Sequence, residues 1–248
     1  VGDLDTMESR KAFECAIEDL CRLYRFQTSK VACDLHPDYA STAWAQASGL
    51  PVIPVQHHQA HVAACAAEND IRGDYLGVSW DGTGYGLDGT IWGGEFFLVC
   101  DGRFERVSHL RPFRLPGGET AIREGWRPAA SLLFETFGAE AVENPLILQM
   151  LQRGLNAPVT TSVGRLFDAV ASIAGVARAN RFEGQAAMLL ERAIGSAMTA
   201  DCYPLEESQG AADWRDLIKA VRRDAARGRP VDLIAAQFHN ALVAWIVA

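Results

Sequence analysis

Apolar positions change their spacing along the chain, and these changes predict an alternation of helices and strands. Residues Glu8–Phe26 carry apolar side chains at helical spacing, which predicts an amphipathic helix. Short apolar runs at Val31–Leu35 and Pro51–Val55 predict strands, followed by helices that end near Ser48 and Glu68. This order of strand and helix favours an α/β architecture.

The next stretch has the pattern of an antiparallel meander. Three strands are predicted, at Tyr75–Trp80, Thr90–Cys100 and Arg103–Leu110. The dipeptide Asp101-Gly102 separates the last two, and Asp-Gly between two such runs is a strong signal for a tight hairpin.

The rest of the chain is predicted to be mostly helical. The expected helices are Glu124–Phe137, Asn144–Leu151, Val163–Gly175, Gly184–Ala197, Ala211–Arg227 and Val231–Ala248. A boundary near Arg111–Gly118 would divide the chain into a first lobe, residues 1–113, and a second, mostly helical lobe, residues 114–248. Both ends look cut, since no strand opens at Val1 and the chain stops inside an apolar helix.

Composition narrows the class of function. The net charge is −8, and no basic patch is evident, which argues against a nucleic-acid partner. No apolar run approaches the length of a membrane span. Six scattered cysteines without a CxxC pair fit a reduced, cytoplasmic compartment. Ser79, Ser131 and the cysteines lack a base at a convincing spacing, which makes a nucleophilic hydrolase a poor fit. No Walker motif is present.

A histidine cluster gives the first candidate site. His57 and His61 lie one turn apart on a predicted helix, so both imidazoles can reach one metal ion. His58 lies about 100° away around the helix and is not expected to join them. The alternative is a helix whose histidines cap or pack.

A glycine-rich turn gives the second candidate, because closely spaced glycines let backbone N–H groups approach phosphate oxygens. Asp81 ends the preceding strand, where a carboxylate can bind a metal. The candidate nucleotide-binding residues here are Gly82, Thr83, Gly84 and Gly86, with Gly93 and Gly94 in the following strand. The alternative is an ordinary hairpin loop.

Two predicted helix starts give a third, weaker candidate. Gly164 and Asp168 lie near the start of one helix, and Glu183 and Gly184 open the next. Helix N-termini bind anions, and acidic residues there can bind ribose hydroxyls. Taken alone, these segments favour the simpler interpretation, with Ser162 as a helix cap and Asp168 as a solvated residue.

Several long motifs together give a specific resemblance that covers essentially the whole chain. They are Asp34-Leu35-His36-Pro37-Asp38-Tyr39, Gln56-His57-His58-Gln59-Ala60-His61, Trp80-Asp81-Gly82-Thr83-Gly84-Tyr85-Gly86, Gly89-Thr90-Ile91-Trp92-Gly93-Gly94-Glu95, Leu110-Arg111-Pro112-Phe113, Leu115-Pro116-Gly117-Gly118 and Ser162-Val163-Gly164-Arg165-Leu166-Phe167-Asp168. In these motifs the chain resembles the C-terminal domain of the HypF family, the carbamoyltransferases of nickel–iron hydrogenase maturation.

The resemblance implies a two-lobed fold of the actin/sugar-kinase (ASKHA) type. It also implies a reaction in which carbamoyl phosphate and ATP give carbamoyl-adenylate, whose carbamoyl group passes to the C-terminal cysteine of the partner HypE. By the same resemblance, His57, His61 and Asp81 would bind the metal, Fe(II) or Zn(II) with iron preferred, and contribute to catalysis. The glycines of the turn and strand would face phosphates, and Gly164, Asp168, Glu183 and Gly184 would meet the nucleoside.

The chain also departs from that family pattern. The family's acylphosphatase-like, zinc-finger-like and adenylate-forming regions are missing, as are a strand hairpin expected before Val1 and a segment after Ala248 with a fourth, aspartate ligand. The fragment is therefore not expected to make carbamoyl-adenylate without the rest of HypF. Two alternatives stay open: O-carbamoyl transfer to a small-molecule hydroxyl, or metal and nucleotide binding without turnover.

Overall fold

The computed structural model describes residues 4–248. The first residues of the predicted first lobe, Val1 among them, lie outside this range. The chain divides into two compact units, one up to Ala60 and one from His61 to Ala248. The elements of the first unit are α1 (Met7–Leu23), β1 (Val31–Asp34), α2 (Ala40–Ala47) and β2 (Val52–Val55). Helix α3 (His57–Glu68) follows β2 directly, and the division falls inside this continuous helix.

The second unit combines one larger sheet, one small strand pair and a set of helices. Its strands are β3 (Tyr75–Trp80), β4 (Gly94–Cys100), β5 (Arg103–Leu110), β6 (Phe113–Arg114), β7 (Val159–Thr160), β8 (Glu206–Ser208) and β9 (Ala211–Asp213). Its helices after α3 are α4 (Glu119–Arg123), α5 (Trp126–Phe137), α6 (Pro145–Arg153), α7 (Val163–Ile173), α8 (Gln185–Ile194), α9 (Arg215–Ala226) and α10 (Val231–Val247), with a short 3-10 helix at Ala139–Ala141.

In the first unit, the predicted strand–helix–strand order is confirmed. Strands β1 and β2 pair in parallel, from Val31 opposite Val52 to Asp34 opposite Val55, and α2 connects them. The parallel pairing brings the C-terminal ends of both strands to the same edge. Asp34, the last residue of β1, therefore lies close to the point where β2 leads into α3.

In the second unit, the predicted meander is confirmed and then extended. Strands β3, β4 and β5 pair antiparallel, and β9 and β8 continue the sheet beyond β5. Asp101 and Gly102 both have positive φ, of 50° and 73°, as a tight turn between twisted strands requires. Strand β4 begins only at Gly94, because the preceding residues form the turn and not the strand predicted from Thr90.

The predicted helix Ala211–Arg227 was wrong at its start. Residues Ala211–Asp213 instead form β9, in which Ala211 and Ala212 pair in parallel with His109 and Leu110, and the helix begins at Arg215. Alanine favours helices, but pairing with a strand some hundred residues away overrides that local preference.

The predicted boundary at residues 113 and 114 stays a prediction, and segments on its two sides are in contact within the second unit. Strands β5 and β9 lie on opposite sides of it in the sequence and are neighbours in one sheet. The main hydrophobic core of the second unit likewise contains residues from both sides, among them Leu110, Leu166, Trp214 and Phe238.

Two global expectations concern cysteines and membranes. All six cysteines are free thiols, as their scattered spacing predicted. Within residues 4–248, no helix has the combination of length and apolar character that crossing a bilayer demands.

A glycine fixes how closely α3 approaches the sheet. A Cβ atom at Gly77 of β3 would lie 2.3 Å from Cγ1 of Val62 on α3, so only glycine fits there without a shift. Val62 also belongs to a small core with Trp92, Phe97 and Val99. Through this contact, the spacing between α3 and β3 is set by packing in the second unit.

We expect Gly77→Ala to lower the free energy of unfolding by about 1–3 kcal/mol, because the added methyl group overpacks this contact. Val62→Ala removes the methyl groups that the new Cβ would meet, so the double variant should be more stable than the sum of the single effects implies. Urea unfolding of the three variants measures this coupling. Strictly additive losses would show that Gly77 and Val62 do not set the helix–strand distance.

Candidate metal centre and adjoining cavity

Helix α3 and the end of β3 bring together the three predicted metal ligands. His57, His61 and Asp81 each offer one ligand atom, and these atoms lie within 4.8 Å of one another. His57 and His61 are one turn apart on α3, as their spacing predicted. His58 is fully buried, and its Nδ1 lies 3.1 Å from Nε2 of Gln56, so its ring packs inward and is not part of this group.

Backbone contacts fix the position of Asp81 at the end of β3. Its N–H donates to the carbonyl of Gly93 at 2.9 Å, and its own carbonyl accepts from Gly164 N–H at 3.2 Å. The hydroxyl of Ser162 donates to the same carbonyl at 2.6 Å. The carboxylate then reaches His61, with Oδ2 at 3.6 Å from Nε2.

A second aspartate contacts the other histidine. Oδ2 of Asp34 lies 2.8 Å from Nδ1 of His57, and Oδ1 accepts from the N–H of His36 at 2.8 Å. In the sequence, Asp34 opens one of the motifs that carry the family resemblance, and no role was predicted for it. Its position at the C-terminal end of a predicted strand, next in order to the strand before the histidine helix, was the signal that could have identified it.

His36 orders the turn after β1. Its Nδ1 accepts from the N–H of Asp38 at 3.2 Å, and its ring stacks on Tyr39 with centroids 4.2 Å apart. Among the described residues, the group with metal-ligand spacing does not include it.

The donor set fits a transition-metal ion. Two imidazoles and one carboxylate form the type of three-residue set that binds Fe(II) or Zn(II) and leaves coordination positions for water or substrate. His61 is exposed and the other two ligands are partly buried, so the group is open on one side.

Asp81 also lines a cavity of about 280 Å³ in the second unit. Six predicted site residues form part of its wall: Asp81, Gly82, Gly164, Asp168, Glu183 and Gly184. The third candidate segment therefore adjoins the second, although residue spacing alone predicted them as separate sites. A Cβ atom at Gly164 would lie 2.8 Å from Cα of Gly82, which explains why glycine is required at the start of α7.

Asp168 is a buried member of this wall, so its interpretation as a solvated residue was wrong. Only 2% of the residue is exposed, and Oδ2 lies 2.8 Å from Nη1 of Arg165, itself buried. Asn180 donates to Oδ1 at 2.8 Å. Burial raises the pKa of Asp168, while the charge of Arg165 and the hydrogen bond from Asn180 act in the opposite direction.

The interpretation of Ser162 as a helix cap is confirmed, since its side chain accepts from the N–H of Arg165 at the start of α7. The first N–H groups of this helix are engaged within the protein. Val163 donates to the carbonyl of Gly93 at 2.9 Å, and Gly164 donates to Asp81. These N–H groups therefore already have partners within the protein, and anion binding at the start of α7 stays a prediction.

The glycines of the predicted phosphate turn lie mainly against the protein itself. Gly86 N–H donates to the carbonyl of Thr90 at 2.9 Å, and a Cβ atom there would lie 2.3 Å from the indole nitrogen of Trp92. Gly93 and Gly94 both donate their N–H groups to Oε1 of Glu95, at 3.2 Å each. These three N–H donors are therefore paired within the protein, and the predicted role of the glycines at phosphates stays a prediction.

Glu95 is a buried charge that sequence reasoning missed. It is fully buried, and besides the two glycines it accepts from the hydroxyl of Thr161 and pairs with Nε of Arg106. Arg106 in turn stacks over the ring of Trp92, 4.0 Å from its centroid. Its partners Thr161 and Arg106 lie 66 and 11 residues away in the sequence, so local pattern does not reveal them.

Comparison with known protein families agrees with this architecture. A family model described as "HypF Kae1-like domain" matches residues 1–68, and another described as "Carbamoyltransferase, Kae1-like Domain, second subdomain" matches residues 77–248. The carbamoyltransferase HypF of Synechocystis sp. is 41% identical over all of this chain, which spans 36% of that relative's length. A carbamoyltransferase HypF homolog of Cupriavidus necator is 36% identical over 98% of this chain and 69% of its own length.

Solved structures give the same result. The structure of full-length HypF in the phosphate- and nucleotide-bound form superposes with a TM-score of 0.93 at 36% identity, covering 99% of this chain and 34% of that one. T. kodakarensis HypF superposes with a TM-score of 0.86 at 26% identity, covering 96% of this chain and 34% of that one. These matches confirm the predicted α/β fold class, and this chain spans about a third of the HypF proteins it superposes on. The chain belongs to the HypF carbamoyltransferase family and matches its Kae1-like domain.

Proposed function

We propose that this chain transfers a carbamoyl group from carbamoyl-adenylate to the C-terminal cysteine of HypE during maturation of nickel–iron hydrogenase. One observation carries the proposal: Asp81 belongs both to the group of metal ligands and to the wall of the cavity. A metal ion and a nucleotide bound at these places would be neighbours. Similarity to carbamoyltransferases over the whole chain supports the same reaction class.

The cavity supports binding of the adenylate. A solved relative is described as phosphate- and nucleotide-bound, and this chain superposes on it closely. We assign the ribose hydroxyls to Glu183, an exposed carboxylate in the cavity wall, since carboxylates accept from ribose hydroxyls. Asp168 is already paired with Arg165, so we assign it a structural role in the cavity wall and not a contact with the ribose.

The absence of a side chain at Gly82 keeps space for the ligand. A Cβ atom there would lie 2.9 Å from Nη2 of Arg165 and 3.5 Å from Oε1 of Glu183. Any larger residue would push these groups into the cavity. Thr83 and Gly84 follow directly, and we retain them as candidates for contacts with the phosphate.

His57, His61 and Asp81 would hold the metal, Fe(II) or Zn(II). When bound, such an ion supplies Lewis-acid polarisation and a template for the reacting groups. In the transfer itself, the cysteine thiolate attacks the carbamoyl carbon, a C–S bond forms, and the C–O bond to AMP breaks. AMP leaves with the electron pair of that bond. We assign the formation of the adenylate from carbamoyl phosphate and ATP to the rest of HypF.

The double variant His57→Ala/His61→Ala should lose its bound metal, because it keeps only one of the three ligands. Elemental analysis after loading with Zn(II) and desalting should give about one ion per chain for the unaltered protein and close to none for the variant. His109→Ala is the matched control: Nδ1 of His109 is engaged with the carbonyl of Leu110 at 2.9 Å. A double variant that stays loaded would show that the ligands lie elsewhere.

Transfer can be tested with preformed carbamoyl-adenylate, the metal-loaded chain and a synthetic HypE C-terminal peptide. Mass spectrometry should detect carbamoylated peptide and AMP in equal amounts. Asp81→Asn should slow the reaction by on the order of 10²-fold, as loss of a charged group at a reacting centre commonly does. Glu105→Gln, an exposed carboxylate on β5, should have no effect.

A second peptide ending in serine distinguishes thiol from hydroxyl acceptors. Transfer to cysteine alone supports the proposed acceptor chemistry. An Asp81→Asn variant as fast as the unaltered chain, or transfer equal to that without protein, would refute the proposed function.

A further inference from the structure

Asp34 and His57 form a close pair outside the group of metal ligands. Oδ2 of Asp34 lies 2.8 Å from Nδ1 of His57, and the two side chains keep only 17% and 28% of their surface exposed. Partial burial protects this hydrogen bond from competition with water. The carboxylate is thus a close partner of the histidine.

The position of Asp34 is itself fixed by several backbone contacts. Oδ1 accepts from the N–H of His36 at 2.8 Å, and the carbonyl of Asp34 accepts from the hydroxyl of Thr42 at 3.2 Å. Next to it, Leu35 N–H donates to the carbonyl of Val55 at 3.0 Å. Oδ2 is therefore held at one place relative to the start of α3.

A fixed acceptor at Nδ1 decides which nitrogen of a neutral imidazole carries the proton. The ring has one N–H and one lone pair, and a carboxylate beside Nδ1 retains the N–H there. Nε2 then carries the lone pair, which is the donor that a metal ion requires. The same carboxylate orients the ring and makes it a stronger ligand.

We propose that Asp34 is a positioning residue that holds His57 in the Nδ1–H tautomer and so makes Nε2 its metal-binding atom. This inference rests on the metal site of the proposed function. Asp34 itself is not a ligand and touches no substrate; it acts through His57.

The variant Asp34→Asn tests the proposal with almost no change in shape. If the asparagine Oδ1 keeps its bond with His36 N–H, its NH₂ group faces Nδ1 of His57, which must then accept. The proton moves to Nε2, which can no longer bind a metal without losing it. Asp38→Asn is the matched control, because it removes the same charge from an exposed residue of the same turn.

The direct readout is long-range ¹H–¹⁵N correlation NMR of the metal-free protein at alkaline pH, where imidazoles are neutral. His57→Gln assigns the His57 signals by their loss. We expect the Nδ1–H tautomer in the unaltered protein and in Asp38→Asn, and the Nε2–H tautomer in Asp34→Asn. A purely structural role for Asp34 would not exchange the tautomers.

Metal affinity is the second readout, measured with Zn(II) in competition with a chromophoric chelator. Asp34→Asn should weaken binding by roughly 10- to 100-fold, the usual effect of removing such a partner, and Asp38→Asn should not. An Nε2–H tautomer in the unaltered protein overturns the proposal even if Asp34→Asn does not fold. Unchanged tautomer and affinity in a folded Asp34→Asn overturn it as well. An unaltered protein with the Nδ1–H tautomer but no Zn(II) binding would instead refute the metal site of the proposed function.

Discussion

The backbone of Gly93 and Gly94 contacts two other segments of the chain more closely than any side chain would permit. A Cβ atom would lie 2.4 Å from the carbonyl of Asp81 at Gly93, and 2.4 Å from the carbonyl of Thr161 at Gly94. We call this close contact of three segments the glycine crossing. The buried carboxylate of Glu95 stabilises it, because it accepts both glycine N–H groups and forms an ion pair with Arg106. A buried charge is tolerated only with such partners.

The glycine crossing determines where the candidate site residues of the second unit lie. Gly93 carbonyl accepts from Asp81 and from Val163, so the end of β3 and the start of α7 are bound to one point. Asp81 is thereby held at the cavity and beside His61 at once. Packing of Val62 against Gly77 sets the distance of helix α3 from the same strand. The proposed chemistry thus depends on glycines that allow close contacts within the protein.

Local pattern predicted the features that depend on local physics. Helical spacing placed His57 and His61 on one face, and the bounds of β3 and β5 were correct, because periodicity and the Asp101-Gly102 turn are encoded over a few residues. The short strand β9, the burial of Asp168 and the partners of Glu95 depend on residues far away in the sequence, and no local signal reports them. Asp34 lies between these cases, since its place at a strand end was visible but its contact with His57 was not. The resemblance to HypF identified the residues of the cavity as one group, which spacing alone did not.

The central claim is that Asp81 joins a metal site to a nucleotide cavity. The most direct test is calorimetric titration of ATP into the metal-free protein and into the Zn(II)-loaded protein. Two ligands that share one carboxylate must influence each other's affinity, and coupling between sites commonly amounts to roughly 5- to 150-fold. We expect tighter ATP binding after metal loading, and an equal gain in metal affinity when ATP is present. Identical ATP affinities with and without the metal would contradict the account.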